Sequence, residues 1–201
     1  MSSRISPAEY PSIASHAAIG DGRSMALVGS DGNIEWFCPG RFDAAPLIWP
    51  LLDRQRSGRL QLKAQEADSR IRYLDETAIL EFDIKGSTGR ARVTLCMGWP
   101  ESTDGQHLLW QIEGVAGHCD FELIFEPRPD FGNMPGEASL SAEGLSFGYQ
   151  GQQLLLHADC PLHPHGDGWA GQLSVAAGER RRLHWRLLAG LYSGFGSAHV
   201  F

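Results

Sequence analysis

The sequence predicts an all-β fold, an antiparallel β-sandwich, on three observations. Apolar and polar residues alternate with a period of two through most of the chain. Gly, Asp, Ser and Asn occupy nearly every joint between the alternating runs, and helical periodicity is almost absent. A strand with one apolar face cannot hide that face alone, and packing two sheets face to face buries both. A closed barrel would satisfy the same periodicity.

Taken in chain order, Ser24–Val28 and Ile34–Cys38 read as short strands around a Ser30-Asp31-Gly32-Asn33 turn, since Gly accepts the positive φ that tight hairpins need. Pro39-Gly40 ends the second strand and projects Arg41, Phe42 and Asp43 from a loop. Ala44–Arg54 is the one helical candidate; Pro46 suits a helix start and Pro50 interrupts, so at most one short helix fits near 46–54. Arg59–Lys63 and Arg70–Leu74 are further strands. In Thr77–Lys85, Leu80, Phe82 and Ile84 alternate with Glu81, Asp83 and Lys85. After Gly86-Ser87-Thr88-Gly89, Ala91, Val93, Leu95 and Met97 alternate with Arg90, Arg92 and Thr94, completing a hairpin with one wet face.

Leu108, Trp110 and Ile112 open another strand, and Phe121, Leu123 and Phe125 a separate one. Gln153–His157, Gln172–Ala176 and a last run through Leu183, Trp185 and Leu187 follow. No repeat at solenoid spacing and no low-complexity linker divides residues 1–201, so one domain is expected.

With 201 residues, 42% apolar and 20% charged, the chain can bury a sizeable core. A net charge of −7, with no run of like charges, argues against a nucleic-acid surface and a basic membrane-binding face. Met1–Glu9 is polar and no apolar stretch reaches bilayer-spanning length, so no membrane partner is expected. Cys38, Cys96, Cys119 and Cys160 are widely spaced and form no CxxC pair; reduced thiols in a cytoplasmic protein are the expectation.

Two constellations carry chemistry. Trp36, Arg41, Phe42 and Asp43 combine an aromatic face, a fork of donors and a carboxylate, which suits stacking on a sugar ring and gripping its hydroxyls. The bland alternative has Trp36 and Phe42 in the core and Arg41 paired with Asp43 to fix the loop. His157, Asp159, Cys160, His163 and His165 supply zinc-ligand types, but two prolines break the run, and a surface loop is the better reading. Asp21 and Asp31 are expected to satisfy turns, Glu35 to sit on a wet strand face and Asp43 to cap the following turn, so no catalytic carboxylate is assigned. No metal or cofactor is expected. Gly20-Asp21-Gly22 and Gly194-Phe195-Gly196 do not join a strand to a helix and are no phosphate loops. Trp49, Trp99 and Trp169 are expected in loops, where they could contact a partner.

The segment Ile19–Asp53 resembles the opening of bacterial family-15 glycoside hydrolases of the glucoamylase/trehalase type. Their I-G-D-x-R-T-A-A-L-V segment, Asp-Gly turn and I-D-W-L-C-x-P-R-F-D-S-P segment are matched by Ile19, Gly20, Asp21, Arg23, Ala26, Leu27, Val28, Asp31, Gly32, Ile34, Trp36, Cys38, Arg41, Phe42, Asp43 and Pro46. Arg72-Tyr73-Leu74 with Thr77 and Leu80-Glu81, Val93-Thr94 with Met97 and Pro100, Ile112-Glu113-Gly114 with Gly117, and Arg128-Pro129-Asp130-Phe131-Gly132 resemble later family segments. Glu35, Ala44-Ala45 and Leu95-Cys96 depart from the pattern, which has Asp, Ser and Asp-Phe at those places.

The resemblance covers residues from about 10 to 190. It implies a supersandwich-like, non-catalytic N-terminal domain, whose parent enzyme carries its two catalytic carboxylates on an (α/α)6 barrel. Here the chain ends at Gly194–Phe201 without the family's helical continuation, so the barrel is expected as a partner in cis or on a similar chain. The resemblance also implies that Trp36, Arg41, Phe42 and Asp43 line an interdomain or substrate rim. A free-standing carbohydrate-binding module for α-glucosides is the alternative, and an uncovered docking face would favour a homodimer.

Overall fold

The computed structural model describes residues 10–65, 67–98 and 105–188. Met1–Glu9, Trp99, Pro100 and Gly194–Phe201 lie outside the described residues. Strands β1 (His16–Gly20), β2 (Met25–Gly29) and β3 (Ile34–Phe37) form a small antiparallel sheet in that order. Next come β4 (Arg59–Ala64), β5 (Ala67–Tyr73), β6 (Leu80–Gly86), β7 (Gly89–Met97) and β8 (Gln106–Glu126). They are followed by β9 (Glu137–Ser141), β10 (Gly144–Tyr149), β11 (Gln152–Ala158), β12 (Leu162–His165), β13 (Gly168–Ala176) and β14 (Arg180–Leu187). Every pairing among them is antiparallel. The predicted all-β sandwich is therefore the fold. Only two 3-10 turns, Ile13–Ser15 and Asp130–Gly132, interrupt it among the described residues. Residues 46–54 form turns rather than a helix, because Ile48 bridges to Phe37 as an extension of the sheet.

The main sheet runs β5-β6-β7-β8-β14-β11-β10-β9. Its hinge to the second layer is β8, a strand of 21 residues. The two strands expected around Leu108 and Phe121 are one. The first half of β8 pairs with β7 and β14, and the second half with β4 and β13, which in turn carries β12. The switch falls at Gly114–Gly117, opposite a bulge at Arg90/Ala91. Both glycines are required there. A Cβ on Gly114 would lie 2.0 Å from the Ala176 carbonyl oxygen, and Gly117, at φ 61°, would press 2.2 Å from that of Thr88.

Inward residues follow the strand period. Leu108, Trp110 and Ile112 face inward in the first half of β8, and Phe121, Leu123 and Phe125 in the second. Phe125 meets Phe147 of β10 edge-on at 6.1 Å, and Phe37 of β3 meets Trp185 of β14 at 4.9 Å, so both smaller layers close onto the main sheet. Trp185 is fully buried, and burying an aromatic ring of that kind contributes about 1.5–3 kcal/mol or more.

The outer face of the main sheet is polar and ordered by register. Arg70, Asp83, Arg92, Glu113 and Arg180 stand opposite one another on successive strands, alternating in sign. Ion pairs Arg72–Glu81 and Arg180–Glu113 join residues directly opposite, and Arg92–Glu81 and Arg90–Asp83 tie neighbouring rows diagonally. No helix of the described residues is long and apolar enough to cross a membrane.

Candidate functional site

The corner at the end of β3 gathers most of the residues singled out in the sequence. It starts from Asp21, a buried carboxylate in the turn between β1 and β2. Its Oδ1 accepts the backbone N–H groups of Arg23 and Ser24 at 2.9 and 2.8 Å, as its expected turn role requires. Its Oδ2 accepts from Gln106 Nε2 at 2.8 Å, and Gln106 Oε1 accepts the N–H of Gly40 at 2.9 Å. Ser24 Oγ donates to the Cys38 carbonyl, and the Phe42 N–H to that of Arg23. One buried polar chain thus fixes the loop that carries Arg41, Phe42 and Asp43. Gly40, at φ 86°, makes the turn.

On that loop the Arg41 guanidinium grips Asp43 through two hydrogen bonds of 2.9 Å. The pair holds the Asp43 carboxyl below the usual range, and the carboxylate serves Arg41 rather than capping the next turn. Phe42 is 69% exposed, so it is not core. Trp36 is half-buried, its ring 6.4 Å from Phe131, and Phe131 lies 5.6 Å edge-on from Trp49. Trp49, expected in an exposed loop, is buried and donates its indole N–H to the Arg128 carbonyl. Trp169 lies on β13, half-buried, and not in a loop. The segments 46–48 and 128–130 are laced by the Arg128 N–H to Leu47 O and the Asp130 N–H to Pro46 O. Asp130 and Phe131 adopt φ of 49° and 56°, unusual for residues with a Cβ.

Glu35 corrects the sequence reading. It is buried rather than on a wet face, and its Oε1 accepts from Arg54 at 2.7 Å. The cause is a bulge: Leu27 opposes Trp36 while Val28 opposes Ile34, leaving Glu35 as the extra residue. That insertion reverses the alternation, turning Glu35 and Phe37 inward and Trp36 outward. Burial pushes the Glu35 carboxyl above its ordinary value, outweighing the Arg54 ion pair.

The histidine-rich run does not converge. His157 ends β11, His163 and His165 lie on β12, and no group of three His, Cys, Asp or Glu side chains among the described residues is placed to hold a metal. All four cysteines are free thiols; burial pushes Cys38 up to about 11.

The corner is thus an exposed aromatic side chain and a guanidinium–carboxylate fork mounted on a β-sandwich by buried hydrogen bonds. Residues 4–160 match the family described as trehalase-like, N-terminal, and the chain belongs to that family. It is 23% identical over 201 aligned residues to a trehalase of Thermoplasma volcanium, covering 96% of this chain and 30% of that protein. It is 28% identical over 140 residues to a trehalase of Mycolicibacterium smegmatis, covering 61% of this chain and 21% of that one. The chain therefore spans less than a third of the length of these curated relatives.

Proposed function

We propose that this chain is the non-catalytic N-terminal β-sandwich of a glucoamylase/trehalase-like glycoside hydrolase acting in the cytoplasm. In this reading it supports an (α/α)6 catalytic barrel and uses the Trp36–Asp43 loop to rim that barrel's active site. The observation that carries it is Phe42, an aromatic ring left 69% exposed on a loop whose backbone is held by buried Asp21 and Gln106. Evicting a phenylalanine from the core while anchoring its loop makes sense where the ring meets a partner surface or a sugar. The Arg41–Asp43 fork beside it supplies donors and acceptors for hydroxyl groups. The paired carboxylates support a non-catalytic role. Glu35 is engaged by Arg54 and Asp43 by Arg41, whereas glycoside hydrolysis needs an acid and a base facing each other across an enclosed sugar.

The test is a chimera in which this chain replaces the matched region of the Mycolicibacterium smegmatis trehalase. The chain alone is expected to release no glucose from trehalose, maltose or maltodextrin. In an active chimera, Arg41→Ala and Phe42→Ala are expected to lower kcat/KM about tenfold each, a loss of one or two good contacts. Unchanged kinetics in both variants would sink the rim reading. Saturable binding of an α-glucoside by the isolated chain, lost in Phe42→Ala, would favour the free-standing carbohydrate-binding module instead.

A further inference from the structure

Beneath the small sheet lies a second polar feature, separate from the loop. Asn33, Glu35, Pro50, Arg54, Ser57 and Leu60 are among the residues lining a cavity of about 80 Å³. Four buried polar atoms of this lining have no hydrogen-bond partner in the protein: Asn33 Oδ1, Glu35 Oε2, Arg54 Nε and Ser57 Oγ. Leaving a buried polar group unpaired is costly, so four around one cavity call for an occupant.

The bulge at Glu35 is what places its carboxylate on this side of the strand. The Glu35 side chain is only 2% exposed, held between the small sheet and Arg54. Ser57 is positioned by its own N–H, which donates to the Asp53 carbonyl. Asp53 in turn accepts the N–H groups of Gln55 and Arg56, so the 53–57 turn is fixed from within. Arg54 is the adaptable member, with its side chain 30% exposed.

The chemistry of the four atoms selects the guest. Glu35 Oε2 and Asn33 Oδ1 accept only, which disfavours an anion. Arg54 Nε donates only and carries charge, which disfavours a metal cation. Ser57 Oγ both donates and accepts. Acceptors and donors in one small cavity match groups that do both at once, and adjacent alcohol hydroxyls are such groups. A water needs about 10–15 Å³ of comparable space, so the cavity has room for more than one hydroxyl. We propose that this cavity binds the neighbouring hydroxyls of a small neutral polyol, such as one edge of a sugar. The site is independent of the Trp36–Asp43 rim, lying on the Glu35 side of the bulge.

The experiment is an NMR titration of the full chain with glycerol, glucose and trehalose, with calcium and inorganic phosphate in parallel. Saturable shifts at Asn33, Glu35, Arg54 and Ser57 with at least one polyol are expected. Ser57→Val, which fills the cavity, and Glu35→Gln, which removes the charged acceptor, are each expected to weaken that binding about tenfold, whereas Phe42→Ala leaves it unchanged. Should Ser57→Val fail to fold, Glu35→Gln and the residue-resolved shifts of the parent chain each suffice. No saturable shift with any polyol would mean that water alone fills the cavity and would overturn the proposal. So would tighter binding of calcium or phosphate, or polyol binding lost in Phe42→Ala and retained in Glu35→Gln.

Discussion

The outer face of the main sheet and the corner around Trp36 both meet solvent, but they are built on opposite plans. On the sheet, charges alternate row by row from Arg70 through Asp83, Arg92 and Glu113 to Arg180, and the carboxylates of Glu81, Asp83 and Glu113 each face an arginine. At the corner an aromatic ring is exposed, two residues with a Cβ are held at positive φ, and polar atoms under Glu35 stay unpaired by protein. A surface that satisfies its own groups needs nothing else. A surface that leaves aromatic and polar groups unmatched, while fixing them on a buried scaffold, is prepared for something from outside.

Two tryptophans break that comparison most directly. Trp185 on β14 is fully buried against Phe37, whereas Trp36 is half-buried against Phe131. Trp185→Ala is expected to cost about 3–5 kcal/mol, the range for truncating a core aromatic. Trp36→Ala should cost about 1 kcal/mol, the worth of a partly exposed aromatic contact. Urea denaturation of both variants checks this, and equal losses would mean that the corner is core and not a prepared surface.

A smaller effect sharpens the role of Glu35. Its folded carboxyl sits above the ordinary 4.5, because burial outweighs the Arg54 pair. A raised folded value means that the native state holds the proton more tightly than the unfolded chain. The stability this gives is fully present below about pH 4.5 and is lost as pH rises through the folded value. Glu35→Gln has no such proton, so the parent chain's stability relative to this variant is expected to fall as pH rises across that window and level off above it. Denaturation midpoints of both proteins from pH 4 to 8, on the scale of about one pH unit per step, measure it. A parent chain that instead gains on Glu35→Gln as pH rises would show the ion pair, not desolvation, to be in command.

The strands were legible because their cause is local. Leu80, Phe82 and Ile84 must share a face, and that period is written in the sequence. β9 was not legible, since all five of its residues are exposed and it exists only by pairing with β10. β10 itself alternates Leu145, Phe147 and Tyr149 with Gly144, Ser146 and Gly148, a pattern the Gly-rich composition obscures. The continuity of β8 depends on backbone approaches at Gly114 and Gly117 made by residues far away in the chain. At the corner, residue types pointed to the loop and to the Arg41–Asp43 pair. Strict alternation misplaced Glu35, because one inserted residue inverts every face that follows. The meeting of Trp36 with Phe131 joins two segments nearly a hundred residues apart in order of magnitude, and no local rule reports it.

The smallest predicted effect concerns the backbone that holds Phe131 in place. Asp130 sits at φ 49°, where an L side chain pays a steric cost, and its side chain makes no hydrogen bond among the described residues. Its N–H donates to the Pro46 carbonyl and its carbonyl accepts from Asn133, and glycine would keep both contacts. Asp130→Gly therefore relieves strain, against the greater freedom glycine gives the unfolded chain. The balance is expected to be a gain of a few tenths to about 1 kcal/mol, read from the urea midpoint. If the chain instead becomes less stable, the left-handed turn is one that Asp130 actively favours. If stability rises while the chimera of the proposed function loses kcat/KM, the strain at the corner is kept for what Phe131 and Trp36 must meet.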